Sequence, residues 1–133
     1  METTAQDIMS TEILTASEGM SIEDALKLLV NNKITGLPVV NKEGKMIGVL
    51  SEYDILVQTT KFKKLSHKNL MNSIKFPDNV HSILEDTPVE NIIEQFIETQ
   101  FRRLPVINSK GKLIGIITRR DLMRLLYYRA KLS

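Results

Sequence analysis

The stretch Leu104–Asp121, LPVINSKGKLIGIITRRD, decides the fold because the chain contains it twice. The earlier copy is Leu37–Asp54, LPVVNKEGKMIGVLSEYD. The two copies align without a gap at a step of 67 residues, which is 105 − 38 for the prolines and 121 − 54 for the final aspartates. A fixed internal period indicates one structural unit that is used twice.

Length and composition bound the architecture. The chain has 133 residues, which fits one ordinary domain. Each repeat is short for burying a core by itself, so we expect the two repeats to share one core. A hydrophobic content of 42% and a charged content of 26% are typical of a soluble globular protein.

Other features of the composition exclude classes of protein. There is no run of about 18 apolar residues, so we expect no membrane span. The N-terminus, METTAQDIMSTEI, lacks the basic region of a secretory signal. The absence of cysteine excludes disulfides and thiolate metal sites and favours a cytoplasmic location. A net charge of +2 is too small to indicate nucleic-acid binding by itself.

Hydrophobic periodicity predicts strand–helix–strand–strand–helix for each repeat, a mixed α/β (α+β) fold with two small sheets. The first repeat should contain a strand at 12–16, a helix at 22–32 capped by Ser21, strands at 37–40 and 46–50, and a helix capped by Ser51. The second should contain a strand at 80–84, a helix with Thr87 as N-cap and Pro88 at its first position, strands at 104–107 and 113–117, and a helix capped by Thr118. The predicted apolar helix faces include Val30, Leu56, Ile97 and Met123.

The repeats have predictable bounds. We expect the first repeat at 1–60, a basic and poorly ordered linker at 61–69, and the second repeat at 70–133. Leu70-Met71 echoes Ile8-Met9, which places the start of the second repeat. The second repeat is longer near its start, and we assign the extra residues to a loop at 73–79.

Both repeats end in the pattern G-h-h-[ST]-x-x-D, where h is apolar, at Gly48–Asp54 and Gly115–Asp121. The pattern falls at a strand-to-helix junction, where free N–H groups and the helix dipole favour phosphate. The Ser or Thr hydroxyl can add a hydrogen bond, and the Asp can accept two from vicinal ribose hydroxyls. The pattern indicates a nucleotide site, and the alternative is a plain capping arrangement.

The whole chain resembles a tandem pair of CBS domains, the Bateman module. The resemblance rests on the Ile8-Met9 and Leu70-Met71 openers, the helices from Ile22 and Val89, both LPV hairpins and both G-h-h-[ST]-x-x-D ends. It implies two pseudo-symmetric β-α-β-β-α motifs packed through their sheets. It also implies clefts that bind adenosyl ligands such as AMP, ADP, ATP or S-adenosylmethionine, with no other cofactor required.

The resemblance also implies a role and site residues. Such modules usually regulate an enzyme, transporter or channel and often form homodimers; this chain carries no partner domain and is expected to be a stand-alone module that regulates a protein in trans. Residues that match ribose-binding and phosphate-end positions are Asp54, Asp121, Ser51 and Thr118. Residues that match the lining of the base and phosphate region are Ile34, Thr35, Gly36, Phe101, Arg102 and Arg103, with Leu14, Thr15, Ser82 and Ile83 at the apolar edge.

The two clefts are predicted to differ in charge. The second repeat carries Arg102, Arg103, Arg119 and Arg120 where the first has Thr35, Gly36, Glu52 and Tyr53. In nucleotide-binding relatives, basic residues at the positions of Arg103 and Arg120 reach phosphates. We therefore expect one phosphate-rich cleft that uses these two arginines with Asp54. The alternative is a solvated or dimer-contact face.

Other functions have less support in the sequence. His67 and His81 have no carboxylate or cysteine at ligand spacing, and no catalytic motif is present, so we expect no enzyme. A ligand-free interaction module remains open, with surfaces on the helices from Ser51 and Thr118. Nucleic-acid binding through Lys61, Lys63, Lys64 and the arginines of the second repeat ranks last, because no exposed aromatic pattern accompanies them.

Overall fold

A computed structural model describes residues 2–78, 80–99 and 101–133. The chain divides into two compact units. Residues 14–80 form what we call the central unit, and residues 1–13 together with 81–133 form the terminal unit. The units are not the linear repeats, because the first 13 residues join the second repeat. The predicted repeat bounds remain predictions.

Each unit is built from a three-stranded sheet and helices. In chain order the elements are α1 (Ala5–Ile8), β1 (Ala16–Ser17), α2 (Ile22–Asn32), β2 (Gly36–Val40), β3 (Met46–Ser51), α3 (Glu52–Thr59), α4 (His67–Leu70), β4 (Ile83–Leu84), α5 (Val89–Thr99), β5 (Arg103–Ile107), β6 (Leu113–Thr118) and α6 (Arg119–Leu132). The sheet orders are β1-β2-β3 and β4-β5-β6. In each sheet the first pair is parallel and the second is an antiparallel hairpin. The predicted mixed α/β class is confirmed.

The first strand of each sheet is shorter and later than predicted. The expected strands at 12–16 and 80–84 reduce to Ala16–Ser17 and Ile83–Leu84. Each pairs with its parallel neighbour over two residues only. In the central unit the chain then turns at Gly19, whose φ of 84° is accessible to glycine at little cost.

Helix α5 begins one residue later than predicted. The Ile92 N–H donates to the Pro88 carbonyl, so Pro88 and not Thr87 occupies the cap position. This matches the other repeat, where Ser21 at the equivalent position (88 − 67) caps α2. A proline fits there because the residue before a helix needs no N–H for the helix itself.

Buried side chains form two cores, one within each unit, and the expectation of one shared core is wrong. The central core includes Ile22, Leu37, Leu50 and Ile74, and the terminal core includes Ala5, Ile92, Leu104 and Ile117. Each core is completed by an apolar side chain from a segment outside the hairpin and the long helices of its unit. Ile74 supplies this addition in the central unit, and Ala5 supplies it in the terminal unit.

Those additions come from two crossing segments, residues 72–77 in the central unit and 3–10 in the terminal unit. In the central unit, the Ile22 N–H donates to the Asn72 carbonyl and the Ile74 N–H to the Met20 carbonyl, both at 2.9 Å. Residues 3–5 pair with 87–89 in the same way. The predicted loop at 73–79 is therefore paired in part, and its Ile74 side chain is buried; residue 79 of that prediction lies outside the described residues. The predicted linker is also more ordered than expected, because it contains the start of α4 and Phe62 packs on the central core.

Four apolar side chains on the predicted apolar faces are exposed instead. Val30 and Ile97, at equivalent positions of α2 and α5, are 69% and 72% exposed. Leu56 and Met123, equivalent on α3 and α6, are 64% and 58% exposed. The buried stripe of each helix is thus narrower than the apolar stripe, and equivalent apolar surface is left on both units.

One buried polar side chain holds the central crossing segment. Gln58, on α3, is 8% exposed. Its Nε2 donates to the Asp54 and Lys75 carbonyls, and its Oε1 accepts from the Lys75 N–H, each at 2.9 Å. The equivalent residue of α6 is Leu125 (58 + 67), so this connection belongs to the central unit alone.

Replacing Gln58 with alanine should lower the free energy of unfolding by about 1–2 kcal/mol, because the Lys75 backbone loses both of its partners at a partly buried place. Urea denaturation followed by circular dichroism measures the change. The control is Gln6→Ala, since Gln6 is exposed and its side chain has no hydrogen bond within the described residues. Equal losses in the two variants would contradict a holding role for Gln58.

Candidate ligand-binding site

The β3–α3 junction of the central unit carries the first G-h-h-[ST]-x-x-D end. Ser51 closes β3 and caps α3, and its Oγ accepts the Asp54 N–H at 3.2 Å. In return, Asp54 Oδ2 accepts the Ser51 N–H and hydroxyl, both at 2.8 Å. The capping arrangement that was the alternative reading is therefore present. It uses one carboxylate oxygen, and Asp54 Oδ1 accepts no hydrogen bond from the described residues.

The helix start offers fewer free N–H groups than predicted. The Glu52 N–H donates to the Thr35 carbonyl at 3.0 Å, and the Asp54 N–H is taken by Ser51. Of the first three N–H groups of α3, only that of Tyr53 has no partner among the described residues. An anion at this helix start would thus meet one backbone donor, together with the helix dipole.

The sheet brings several of the predicted lining residues to this junction. Gly36 pairs directly with Ser51 across β2 and β3, and Thr35 is bonded to the helix start. Ile34 is half-buried beside them in sequence and packs on the central core. Leu14 and Thr15 precede β1, which lies on the far side of β2 from β3. The structure thus groups residues 34–36 with Ser51 and Asp54, and it leaves Leu14 and Thr15 at the opposite sheet edge.

The terminal unit repeats this junction at β6 and α6. Asp121 Oδ2 accepts the Thr118 N–H at 2.7 Å and the Thr118 hydroxyl at 3.1 Å. Arg103 pairs with Thr118 in the hairpin, and the Arg119 N–H donates to the Arg102 carbonyl. The two carboxylates differ in their second oxygen. Asp121 Oδ1 lies 3.3 Å from the Arg124 guanidinium, whereas the residue equivalent to Arg124 in α3 is Val57.

The arginine cluster surrounds the terminal junction. Arg102 and Arg120 are exposed and Arg103 is half-buried, and none of the three forms an ion pair with a described residue. Arg119 Nε donates to the carbonyl of Phe101 at 3.2 Å. These cations concentrate positive charge where the central unit has Thr35, Gly36, Glu52 and Tyr53. That the two clefts differ in charge, with one of them rich in phosphate ligands, stays a prediction.

Phe101, Ser82 and Ile83 were predicted to line the ligand, and the structure gives each of them other surroundings. The Phe101 ring, 40% exposed, packs against the His81 ring at a centroid distance of 4.8 Å. Ser82 is half-buried and Ile83 lies buried in β4, which is one strand removed from β6. Phe101 thus contacts the junction through its backbone carbonyl. Ser82 and Ile83 lie at the β4 edge of the sheet, opposite the β6 edge that carries the junction.

The glycine that opens each motif admits a crossing segment. A Cβ placed on Gly48 would lie 2.6 Å from Phe76 Cδ2 and closer still to the Pro77 carbonyl oxygen. A Cβ on Gly115 would meet the Met9 side chain, with Cγ at 2.7 Å. The sequence motif therefore combines two functions: its glycine lets a segment pass over the strand, and its Ser or Thr and Asp start the helix.

Candidate metal-binding side chains and histidines lie in the part of the chain that the structure describes. That part contains no group of three His, Cys, Asp or Glu side chains that could hold a metal ion. His67 does lie 3.7 Å from Glu23, which the sequence did not predict, but its side chain is exposed. No described helix combines the length and apolar character needed to cross a membrane.

Comparison with known proteins identifies the family of both repeats. The family model of the CBS domain matches residues 5–58 and 68–128. The CBS domain-containing protein CBSX1, chloroplastic, of Arabidopsis thaliana is 34% identical over 130 residues, a match that covers 78% of this chain and 55% of that protein. The chain spans about half the length of CBSX1 and CBSX2, at 55% and 54%.

Solved structures agree with the sequence matches. CBSX2 of Arabidopsis thaliana in complex with AMP has a TM-score of 0.77 and 33% identity, covering 96% of this chain and 98% of that one. The CBS domain pair of MJ0100, in complex with 5′-methylthioadenosine and S-adenosyl-L-methionine, has a TM-score of 0.69 and 29% identity, covering 97% and 99%. With two matched segments and these neighbours, the chain belongs to the CBS-domain family and carries a tandem CBS pair.

Proposed function

We propose that this protein is a regulatory module that binds an adenosyl ligand, AMP, ADP, ATP or S-adenosylmethionine, without catalysing a reaction on it. The observation that carries the proposal is the Asp54 carboxylate. It starts a helix with one oxygen, its other oxygen accepts no hydrogen bond from the residues that the structure describes, and the chain repeats this junction. The relatives solved with AMP and with S-adenosyl-L-methionine give the ligand class.

The ribose is assigned to Asp54. A carboxylate oxygen has two lone-pair sites, so a free Oδ1 can accept both vicinal hydroxyls while Oδ2 keeps the helix start in place. Ser51 and residues 34–36 would line the same ligand, because the hairpin register places Gly36 opposite Ser51. Leu14 and Thr15 are kept as candidates for the apolar edge near the base.

Asp121 and Thr118 are the corresponding candidates in the terminal unit. There a ribose would compete with Arg124 for Asp121 Oδ1. The Arg124 side chain is exposed although that of Asp121 is mostly covered, and such a pair at the surface is worth about 1 kcal/mol, so it lowers the affinity without blocking the position. We therefore propose that the ribose binds more tightly at Asp54 than at Asp121.

Phosphate recognition is assigned to Arg103 and Arg120, with Arg102 as a further cation. Guanidinium groups suit phosphate because their paired N–H donors match two of its oxygens. Neither Arg103 nor Arg120 is engaged in an ion pair with a described carboxylate, so a ligand would displace none. That these arginines serve the same ligand as Asp54 remains a prediction from the sequence.

Arg103→Ala should weaken AMP binding by about 1.5–3 kcal/mol, the usual worth of a hydrogen bond to a charged group, and should leave adenosine binding nearly unchanged. Isothermal titration calorimetry with both ligands measures the two losses. The matched control is Arg129→Ala, since Arg129 lies near the far end of α6 and pairs with Glu90. Equal losses for AMP and adenosine would remove the phosphate role of Arg103.

A ligand-free interaction module is the second candidate, and one observation favours a surface for it. Val30 and Leu56 in the central unit have exposed apolar counterparts, Ile97 and Met123, in the terminal unit. Such matched surface suits a homodimer or a regulated protein that binds in trans. If no adenine nucleotide binds at millimolar concentration, the interaction role is favoured over the sensor role.

The location that we propose for either role is the cytoplasm, and nucleic acid is not among the proposed partners.

A further inference from the structure

The central unit contains a cavity of about 450 Å³ that none of the residues assigned to the adenosyl ligand lines. It lies beside the crossing segment 72–77, next to the start of α2 and the end of α3. The residues that matter for its chemistry are Ile22, Gln58, Lys61, Phe62, Ser73 and Lys75. A volume of this size is typical of sites for small molecules.

The walls of this cavity are fixed by hydrogen bonds. Gln58 is tied to both backbone groups of Lys75, and the Ser73 hydroxyl donates to the Gly19 carbonyl at 3.3 Å. The Ile74 N–H, between these two residues, donates to Met20. Because these hydrogen bonds hold the crossing segment to α3 and to the turn before α2, the wall is ordered without a ligand, which lowers the entropic cost of binding one.

The charged residues that line the cavity are both lysines. Lys61 and Lys75 are exposed lysines whose ammonium groups form no ion pair with a described residue. No Asp or Glu lines the cavity. The unsatisfied donors are therefore cationic, and the complementary ligand group is an anion.

Beside the polar Gln58, Asn72 and Ser73, the lining has an apolar part made by Ile22 and Phe62. Phe62 is half-buried and packs against the central core, and Ile22 is almost wholly buried. An inorganic ion would leave this surface in contact with water. A ligand with a flat or apolar portion would cover it and gain from the burial.

We propose that this cavity is a second binding site, selective for a small organic anion that joins a phosphate or carboxylate to an apolar ring or chain. The anionic group binds between Lys61 and Lys75, and the apolar portion packs on Phe62. The site shares no assigned residue with the adenosyl site, and Gln58 connects the two through its hydrogen bond to the Asp54 carbonyl.

Titration of the ¹⁵N-labelled full chain with phenyl phosphate tests this site by NMR. We expect saturable shifts centred on the amides of Phe62, Ser73 and Lys75, and a dissociation constant several-fold lower than that of inorganic phosphate. In the double variant Lys61→Gln/Lys75→Gln the dissociation constant should rise about tenfold, as for the loss of a charged hydrogen bond. A parallel titration with benzoate shows whether the preferred anionic group is phosphate or carboxylate.

The matched control is Lys42→Gln/Lys45→Gln, which removes the same charge from the β2–β3 turn of the same unit. We expect this variant to bind phenyl phosphate as the unaltered protein does. Equal weakening in both double variants would mean general attraction to a basic surface and would overturn the proposal. Shifts that do not saturate by about 10 mM, or that centre on the arginines of the terminal unit, would also overturn it.

Discussion

Replacing Asp54 with alanine is expected to weaken AMP binding by about 1.5–3 kcal/mol, roughly ten- to 150-fold, because two ribose hydroxyls lose a charged acceptor. Isothermal titration calorimetry measures the change. The substitution also removes the return bonds to Ser51, so part of any effect could come from a weaker helix start. That start is worth about 1 kcal/mol.

The chain provides a control for the capping effect. Asp7 Oδ2 accepts the Thr4 N–H at 2.8 Å in the same capping arrangement, but outside the G-h-h-[ST]-x-x-D pattern. Asp7→Ala should therefore lose similar stability and keep its affinity for AMP. If the two variants bind AMP equally well while both are folded, Asp54 has no ribose role.

Replacing Gly48 with alanine should lower the free energy of unfolding by about 3 kcal/mol, at the upper end of what overpacking costs. The added Cβ would overlap the Pro77 carbonyl, which is backbone, and the Phe76 ring, which packs on the central core. Neither can move without displacing the crossing segment. Urea denaturation of the purified variant measures the loss.

Gly115→Ala is the matched comparison at the equivalent position. There the added Cβ would meet the side chain of Met9, which is flexible and can adopt another rotamer. We expect a loss of about 1 kcal/mol, well below that of Gly48→Ala. Equal losses at the two glycines would mean that the crossing segment 72–77 yields as easily as a methionine side chain.

The repeated hairpins and long helices follow from local sequence. Helix α2 has the predicted bounds, and β2 and β3 differ from the prediction by one residue each. Alternating apolar residues and a turn glycine determine such hairpins over short distances. The same local signals identify the Ser51–Asp54 and Thr118–Asp121 junctions, because their bonds join residues three positions apart.

The crossing segments do not follow from local sequence. A period of 67 residues shows that the motif is repeated, but it does not show which motif an opening segment packs against. Residues 3–10 pack on the second motif, and residues 72–77 pack on the first. The signal that could have indicated this is the glycine of each motif, since a strand glycine often marks a close approach of another segment.

Gln58 was missed for a related reason. It occupies the position that Leu125 holds in the other repeat, so the apolar periodicity of α3 is broken by a polar residue there. Its partners on Lys75 lie 17 residues away and are not apparent without the fold. For Leu56 and Ile97 the prediction was wrong in the opposite direction. Both residues are apolar and were assigned to buried helix faces, but their side chains are exposed.

The central claim, an adenosyl sensor, is tested most directly by the thermal stability of the full chain with AMP, ATP, S-adenosylmethionine and adenosine. A ligand bound only by the native state at about 100 times its dissociation constant adds roughly 2.7 kcal/mol, which is a rise of several degrees at this size. We expect such a rise with at least one adenosyl ligand. No rise with any of them at millimolar concentration, for a protein that melts cooperatively, would contradict the claim.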